Sequence, residues 1–184
     1  AKKILSTKPH GFVQSFTGDL GKEKQISELV SRVRDVTSSI DILVNNSGVS
    51  WGSELGKFPY SAWDKVFSLN VTGLFHLTQN LLPLLEKNAT TESPSKILNI
   101  GSVMGSSPYG DGAYSYSASK SAVHHLTRIL AKELAGKRIT VNALAPGPFE
   151  SKMTTFAMNS DKKRKSVADS VPLGRVGLYD DIAA

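Results

Sequence analysis

Short apolar runs alternate along this chain with longer stretches of helical period, and few folds accept that alternation. Phe12 to Thr17 read as a short strand that ends at Gly18-Asp19-Leu20. From Lys22 to Thr37, Ile26, Leu29, Val30 and Val33 form a helical stripe. Asp41-Ile42-Leu43-Val44-Asn45 has the compact, β-branched pattern of a buried strand and runs into the turn Asn46-Ser47-Gly48. A long helix is expected from Ser61 to Lys87, with Trp63, Val66, Phe67, Val71, Leu74, Phe75, Leu81 and Leu85 facing inward and a kink at Pro83. Lys96 to Ile100 is the next strand, ending at Gly101-Ser102. A helix from Tyr116 to Ala135 follows, then a strand from Arg138 to Leu144 stopped by Pro146-Gly147-Pro148, then a helix around Asp161 to Asp169.

Strands that alternate with helices make βαβ units and a parallel sheet, so the fold class is α/β. Ligands of such sheets bind outside the carboxyl ends of the strands. The positions there are Asp19, Asn46-Ser47-Gly48, Ser102 and Pro146-Gly147.

Composition removes several functions. The chain has 184 residues, which suits one domain. It has no cysteine, so disulfides and thiolate metal sites are excluded, and a reducing, cytoplasmic setting is expected. The basic start Ala1 to Ser6 lacks the apolar stretch of a signal peptide. No apolar run approaches the roughly 20 residues that span a bilayer, so no membrane partner is expected. The net charge is +6, with its densest run at Lys162-Lys163-Arg164-Lys165. No aromatic residues interleave that run, so it reads as a solvated face and not as a nucleic-acid site. Gly52-Ser53-Glu54-Leu55-Gly56-Lys57 is one residue short of a phosphate-binding P-loop. His124 and His125 are adjacent on a helix and cannot share a face, so no metal site is expected.

One constellation carries chemistry. Tyr116 and Lys120 are four residues apart at the start of a helix and share a face. A phenol is a poor acid-base catalyst at neutral pH unless a nearby ammonium favours its ionised form. Alone, that spacing also describes an exposed pair on a helix surface. Ser102, at a strand end 14 positions earlier, supplies a hydroxyl that can bond the same carbonyl or alcohol oxygen as the tyrosine.

A serine at a strand end followed by Tyr-x-x-x-Lys resembles the signature of the short-chain dehydrogenase/reductase family. Asn45-Asn46-Ser47-Gly48 is similar to that family's Asn-Asn-Ala-Gly turn, and Leu69-Asn70-Val71-Thr72-Gly73 to the segment carrying its catalytic Asn. Val141-Asn142-Ala143-Leu144-Ala145-Pro146-Gly147 and Leu173-Gly174-Arg175 through Asp180-Asp181-Ile182-Ala183 match its later segments, all in family order. The resemblance implies one Rossmann-like, doubly wound parallel sheet, incomplete at both ends, over residues 1–184. Residues 149–171 would be a substrate flap, mobile from Met153 to Val171.

The resemblance also assigns roles. Tyr116 would be the general acid in reduction, or the base in oxidation. Lys120 would lower the tyrosine pKa and hold the nicotinamide ribose. Ser102 would polarise the carbonyl, and Asn70 would hold a water in a relay to Lys120. Asp19 would meet the adenine ring beside the Leu20 backbone, and Asn46, Ser47 and Gly48 would run along the riboses. Asn45 would tie neighbouring strands together instead of touching ligand. Pro146 and Gly147 would close over the nicotinamide, with its carboxamide held by the Phe149 backbone and Ser151. The expected function is hydride transfer between NAD(P)(H) and a ketone or secondary alcohol, with NADP(H) favoured and NAD(H) the alternative. The chain is most similar to enzymes of the 3-oxoacyl-carrier-protein-reductase and gluconate-dehydrogenase kind. Small-molecule carbonyl or alcohol substrates and a homodimer or homotetramer through the two long helices follow from the same resemblance.

The family's glycine-rich pyrophosphate turn is missing from these residues: neither His10-Gly11 nor Gly18-Asp19-Leu20-Gly21 is one. Two readings follow. The 184 residues are a portion of a longer enzyme, or they form a catalytically silent relative that serves as an interaction module.

Overall fold

The computed structural model describes residues 12–108, 112–151, 153–155 and 158–183. Among these, three strands form one parallel sheet in the order β1-β2-β3: β1 is Ile42–Asn45, β2 is Ser95–Ile100 and β3 is Ile139–Leu144. The first helix, α1 (Glu23–Arg34), precedes the sheet. Between β1 and β2 run α2 (Ser61–Phe67), a π-helical turn (Ser68–Gly73) and α3 (Leu74–Glu86). The helix α4 (Tyr114–Leu134) joins β2 to β3. After the sheet come α5 (Asp161–Asp169) and the short α6 (Asp180–Ala183). The sheet is thus Rossmann-like, as the alternation predicts.

Side chains alternate across a strand, and here burial alternates with them. Asn45, Ser95, Ile97, Asn99, Ile139 and Val141 are buried on one face. Ile42 and Val44 of β1 are 59 % and 50 % exposed on the other, as are Lys96, Thr140 and Asn142. The helices α1, α3 and α4 therefore supply one of the two helical layers expected of a doubly wound sheet. Their apolar stripes meet over it: Ile26 and Val30 of α1, Leu77, Leu81 and Leu85 of α3, and Leu130 and Leu134 of α4 join Ile97, Ile139 and Val141.

Within this apolar layer lies a row of bonded polar groups. Asn45 and Asn99 are register partners on β1 and β2. The Asn45 amide donates to Asn99 Oδ1 at 2.9 Å and to Thr78 Oγ1 of α3 at 3.0 Å. The Asn99 amide donates to Thr127 Oγ1 of α4 at 2.9 Å. The threonines in turn donate to the backbone of their own helices, at Leu74 O and Val123 O. Asn45 does tie neighbouring strands together.

Two expectations change. Phe12 to Thr17 are not a strand: a strand needs a ladder partner, and no described residue pairs with them. The single helix expected from Ser61 to Lys87 is interrupted by the π-turn around Asn70, and its second part, α3, runs through Pro83 to Glu86. That turn brings Gly73 against the Leu20 carbonyl so closely that a Cβ would overlap it. The basic start falls in residues 1–11, and residues 152, 156 and 157 of the expected flap also lie outside the described set. In the rest of the flap, α5 buries no side chain, Arg164 pairs with Glu150, and Lys165 pairs with Asp169 at 2.8 Å. Beyond it, Arg175 grips Asp181 with two hydrogen bonds of 2.7 and 2.9 Å, which closes the segment that starts α6.

Replacing Asn99 with Ala would remove both the acceptor of the Asn45 amide and the donor to Thr127 Oγ1 from a buried position. An unsatisfied buried donor costs about 1–3 kcal/mol. Asn99→Ala should therefore lower the free energy of unfolding by about 2 kcal/mol, seen as a lower urea midpoint at unchanged m-value.

Candidate active site

The site is built where β2 gives way to loop. Ser102 follows that strand by two residues, is 7 % exposed, and has extended backbone. Its Oγ accepts from the Met104 amide at 3.2 Å, which caps the tight turn Val103–Gly105. Val103 N donates to Pro146 O at 3.1 Å, so the end of β3 is stitched to the serine loop. The same loop contacts α4, which presents Tyr116 in its first turn and Lys120 in its second. A Tyr–Lys spacing of four puts both on the face turned to β2. The Ser102 side chain hydrogen-bonds the Tyr116 phenol. Lys120 Nζ donates to Ile100 O at 2.7 Å and lies 5.6 Å from the Tyr116 ring centroid. Ser102, Tyr116 and Lys120 are thus brought together at the carboxyl end of the central strand.

Asn70 reaches the same place from the π-turn and is 1 % exposed. Its Oδ1 accepts from Val49 N at 2.9 Å. Its amide donates to Val49 O and to Ser119 Oγ, both at 3.0 Å. Ser119 Oγ passes the bond on to Tyr116 O at 2.7 Å. The Asn70 side chain therefore braces the 46–49 turn against the first turn of α4. Gly48 sits over the result: a Cβ there would stand 3.4 Å from Asn70 Oδ1 and 3.7 Å from Lys120 Nζ.

Burial sets the charges. It raises the Tyr116 pKa above the ordinary phenol value, and the bond from Ser102 offsets only part of that. The sequence reading expected Lys120 to lower this pKa. In the structure the Lys120 ammonium lies over the ring face, where it also meets the ring quadrupole. Lys120 is 5 % exposed, and burial lowers its pKa to about 8.

The other expected residues spread along one rim. Asp19 Oδ1 accepts from Gly21 N at 2.9 Å, and Lys22 lies 3.8 Å from Oδ2. Leu20, Asn46 and Ser47 line a cavity of about 140 Å³ with Val44, Leu69 and Leu74. Asn46 and Ser47 are exposed at its mouth. On the far side, Gly147 stands in open space and the Phe149 ring packs on Gly177. The Ser151 hydroxyl is 3.1 Å from Thr154 Oγ1, and that hydroxyl also reaches Phe149 O at 2.6 Å. Thr154, Ser119 and His124 were missed from the sequence. Only His124 left a signal there, because it extends the Tyr116–Lys120 spacing by four more residues.

The family model described as short chain dehydrogenase matches residues 1–162. A rhamnolipids-biosynthesis 3-oxoacyl-acyl-carrier-protein reductase of Pseudomonas aeruginosa is 44 % identical over 175 residues, covering 95 % of this chain and 68 % of its own. The Pseudomonas aeruginosa RhlG/NADP active-site complex superposes with a TM-score of 0.94 at 43 % identity, covering 99 % of this chain and 70 % of that one. A 3-ketoacyl-acyl-carrier-protein reductase of Brucella melitensis, complexed with NADH, gives a TM-score of 0.78 at 31 % identity, covering 91 % of this chain and 66 % of that one.

A buried amine with a lowered pKa has a signature in solution. Between pH 8 and its ordinary 10.5 the folded state binds fewer protons at Lys120 than the unfolded state. Its contribution to stability therefore rises with pH across that window, by roughly 3 kcal/mol in all. In the protein labelled with nitrogen-15 at lysine, the Lys120 resonance should titrate near pH 8, apart from the exposed lysines.

Proposed function

Because the chain belongs to the short-chain dehydrogenase family, we propose that it is an NADP(H)-dependent oxidoreductase that reduces a ketone with Ser102, Tyr116 and Lys120. The observation that carries this reading is the hydroxyl pair of Ser102 and Tyr116 at the end of β2, with the Lys120 ammonium beside the phenol.

The residues fit a nicotinamide nucleotide. Gly48 leaves open the space over Asn70 and Lys120 that a side chain would fill. Lys120 Nζ donates to one protein acceptor, and an ammonium has three donors, so hydrogen bonds remain for a ribose. The largely apolar cavity beside Leu20, Asn46 and Ser47 suits the flat adenine end, with Asp19 next to Leu20 in the chain. Pro146, Gly147, the Phe149 backbone and Ser151 would hold the nicotinamide end. NADP(H) is favoured because a relative that superposes with a TM-score of 0.94 was solved with NADP, and NAD(H) is the alternative because another was solved with NADH.

Bound there, the reduced nicotinamide supplies a hydride to the substrate carbonyl carbon. Ser102 and Tyr116 donate hydrogen bonds to the carbonyl oxygen, and these strengthen as charge develops on it. Tyr116 then gives its proton to that oxygen. The phenol, its pKa raised by burial, holds this proton at neutral pH. The phenolate left behind is stabilised by the Lys120 ammonium. Asn70 keeps the turn and α4 in register, and a water relay to Lys120 is part of the same reading. Trp63, Phe75 and Ile129 are partly exposed on α2, α3 and α4, which supports a homodimer or homotetramer through those helices.

The test uses the full-length protein, with NADPH and ketone substrates including a 3-oxoacyl thioester. NADPH should bind and be consumed. Tyr116→Phe should lower kcat on the order of 10³-fold with NADPH affinity unchanged, and Ser102→Ala on the order of 10²-fold. A wild-type protein that neither binds NADPH nor turns over would return the chain to the silent interaction module.

A further inference from the structure

Behind Ser102 lies a histidine ring that no step above uses. His124 follows Lys120 by one helical turn on α4. Its Nε2 accepts a hydrogen bond from the Ser102 amide at 3.3 Å. Its Nδ1 is 3.2 Å from Ser106 Oγ. The ring thus spans the turn Val103–Gly105 from behind, touching the residue before it and the residue after it. Two glycines make room for the ring. A Cβ on Gly101 would overlap Nε2, and one on Gly105 would stand 2.8 Å from Cε1. The strand end, the turn and the helix are therefore shaped around an imidazole.

We propose that His124 is a positioning residue for carbonyl reduction: as the neutral Nδ1–H tautomer it holds the Ser102 backbone, and with it the Ser102 hydroxyl, against Tyr116. The tautomer follows from the partners. The Ser102 amide can only donate, so Nε2 must carry a lone pair. The ring proton then sits on Nδ1, and Ser106 Oγ accepts it. A doubly protonated ring would set Nε2–H against the Ser102 N–H, two donors face to face, and the bond would be lost. The surroundings oppose that charge. Burial lowers the His124 pKa, and the cations Arg128 and Lys120, both on α4, lower it further. The loop 101–107 that meets the ring, and residues 144–146 bonded to that loop, carry no titratable side chain. The His124 contribution should therefore be lost on the acid side, as its ring charges below its ordinary 6.5.

This inference rests on the reductase reading for its kinetic consequence but not for its geometry, and the experiment separates the two. In the full-length protein, the imidazole nitrogen shifts of His124 should report Nδ1–H and a titration midpoint below 6.5, whether or not any substrate is turned over. An Nε2–H tautomer, or a midpoint at or above 6.5, would overturn the proposal. In the kinetics, wild-type kcat should fall on the acid side along the same midpoint. His124→Leu, which leaves the Ser102 amide without its acceptor, should lower kcat about 10- to 100-fold at every pH, because small displacements of a reacting group cost this much. NADPH affinity should not change. His124→Gln keeps an acceptor near the Nε2 position and cannot titrate. It should restore most of kcat and abolish the acid limb. A His124→Leu protein with wild-type kcat and a wild-type acid limb would also overturn the proposal.

Discussion

The site depends on a row of buried polar bonds, Thr78–Asn45–Asn99–Thr127, that crosses from α3 through β1 and β2 to α4. Apolar packing gives most of the energy of such a layer but little direction, since one aliphatic contact slides over another at small cost. A hydrogen bond in a dry interior fails if it slides. The row therefore fixes the register of two helices on two strands, and β1, β2 and α4 each carry or adjoin residues of the site. Asn45 precedes the Asn46-Ser47-Gly48 turn, Asn99 lies three residues before Ser102, and Thr127 lies two turns beyond Lys120.

The buried Lys120 illustrates a second dependence. An ammonium this far from water is destabilised, which is why its pKa falls to about 8. It is tolerated because Ile100 O accepts from it at the open end of β2, where that carbonyl has no further strand residue to serve. The lysine, the serine and the tyrosine thus share one structural cause. A parallel strand that ends under a helix start brings side chains of both together there, at the end of the sheet where ligands bind.

The helices cover one face of the sheet among the described residues, and the burial pattern follows from it. The strands present Ile97, Ile139 and Val141 to the helices, with Asn45, Ser95 and Asn99 between them. Parallel strands covered on both faces usually read as continuous apolar runs. The exposed Lys96, Thr140 and Asn142 interrupt such a run here.

By itself the sequence determined the element types, because periods of two and of 3.6 are written locally in the spacing of apolar residues. It placed α5 at Asp161–Asp169 and the strands within a residue or so. It also singled out Ser102, Tyr116 and Lys120, because strand end and helix start are local signals. What it could not hold was anything that depends on neighbours distant in the chain. Whether Phe12 to Thr17 pair is decided by the strand beside them. That the long helix is interrupted by a π-turn was decided at Asn70, whose amide bonds Val49 and Ser119. The phenol pKa was decided by burial, which no spacing encodes. His124 looked like half of a useless adjacent pair until the fold laid Gly101, Ser102 and Ser106 across its ring. Tertiary structure decided these points because burial and hydrogen-bond partners exist only once the segments meet.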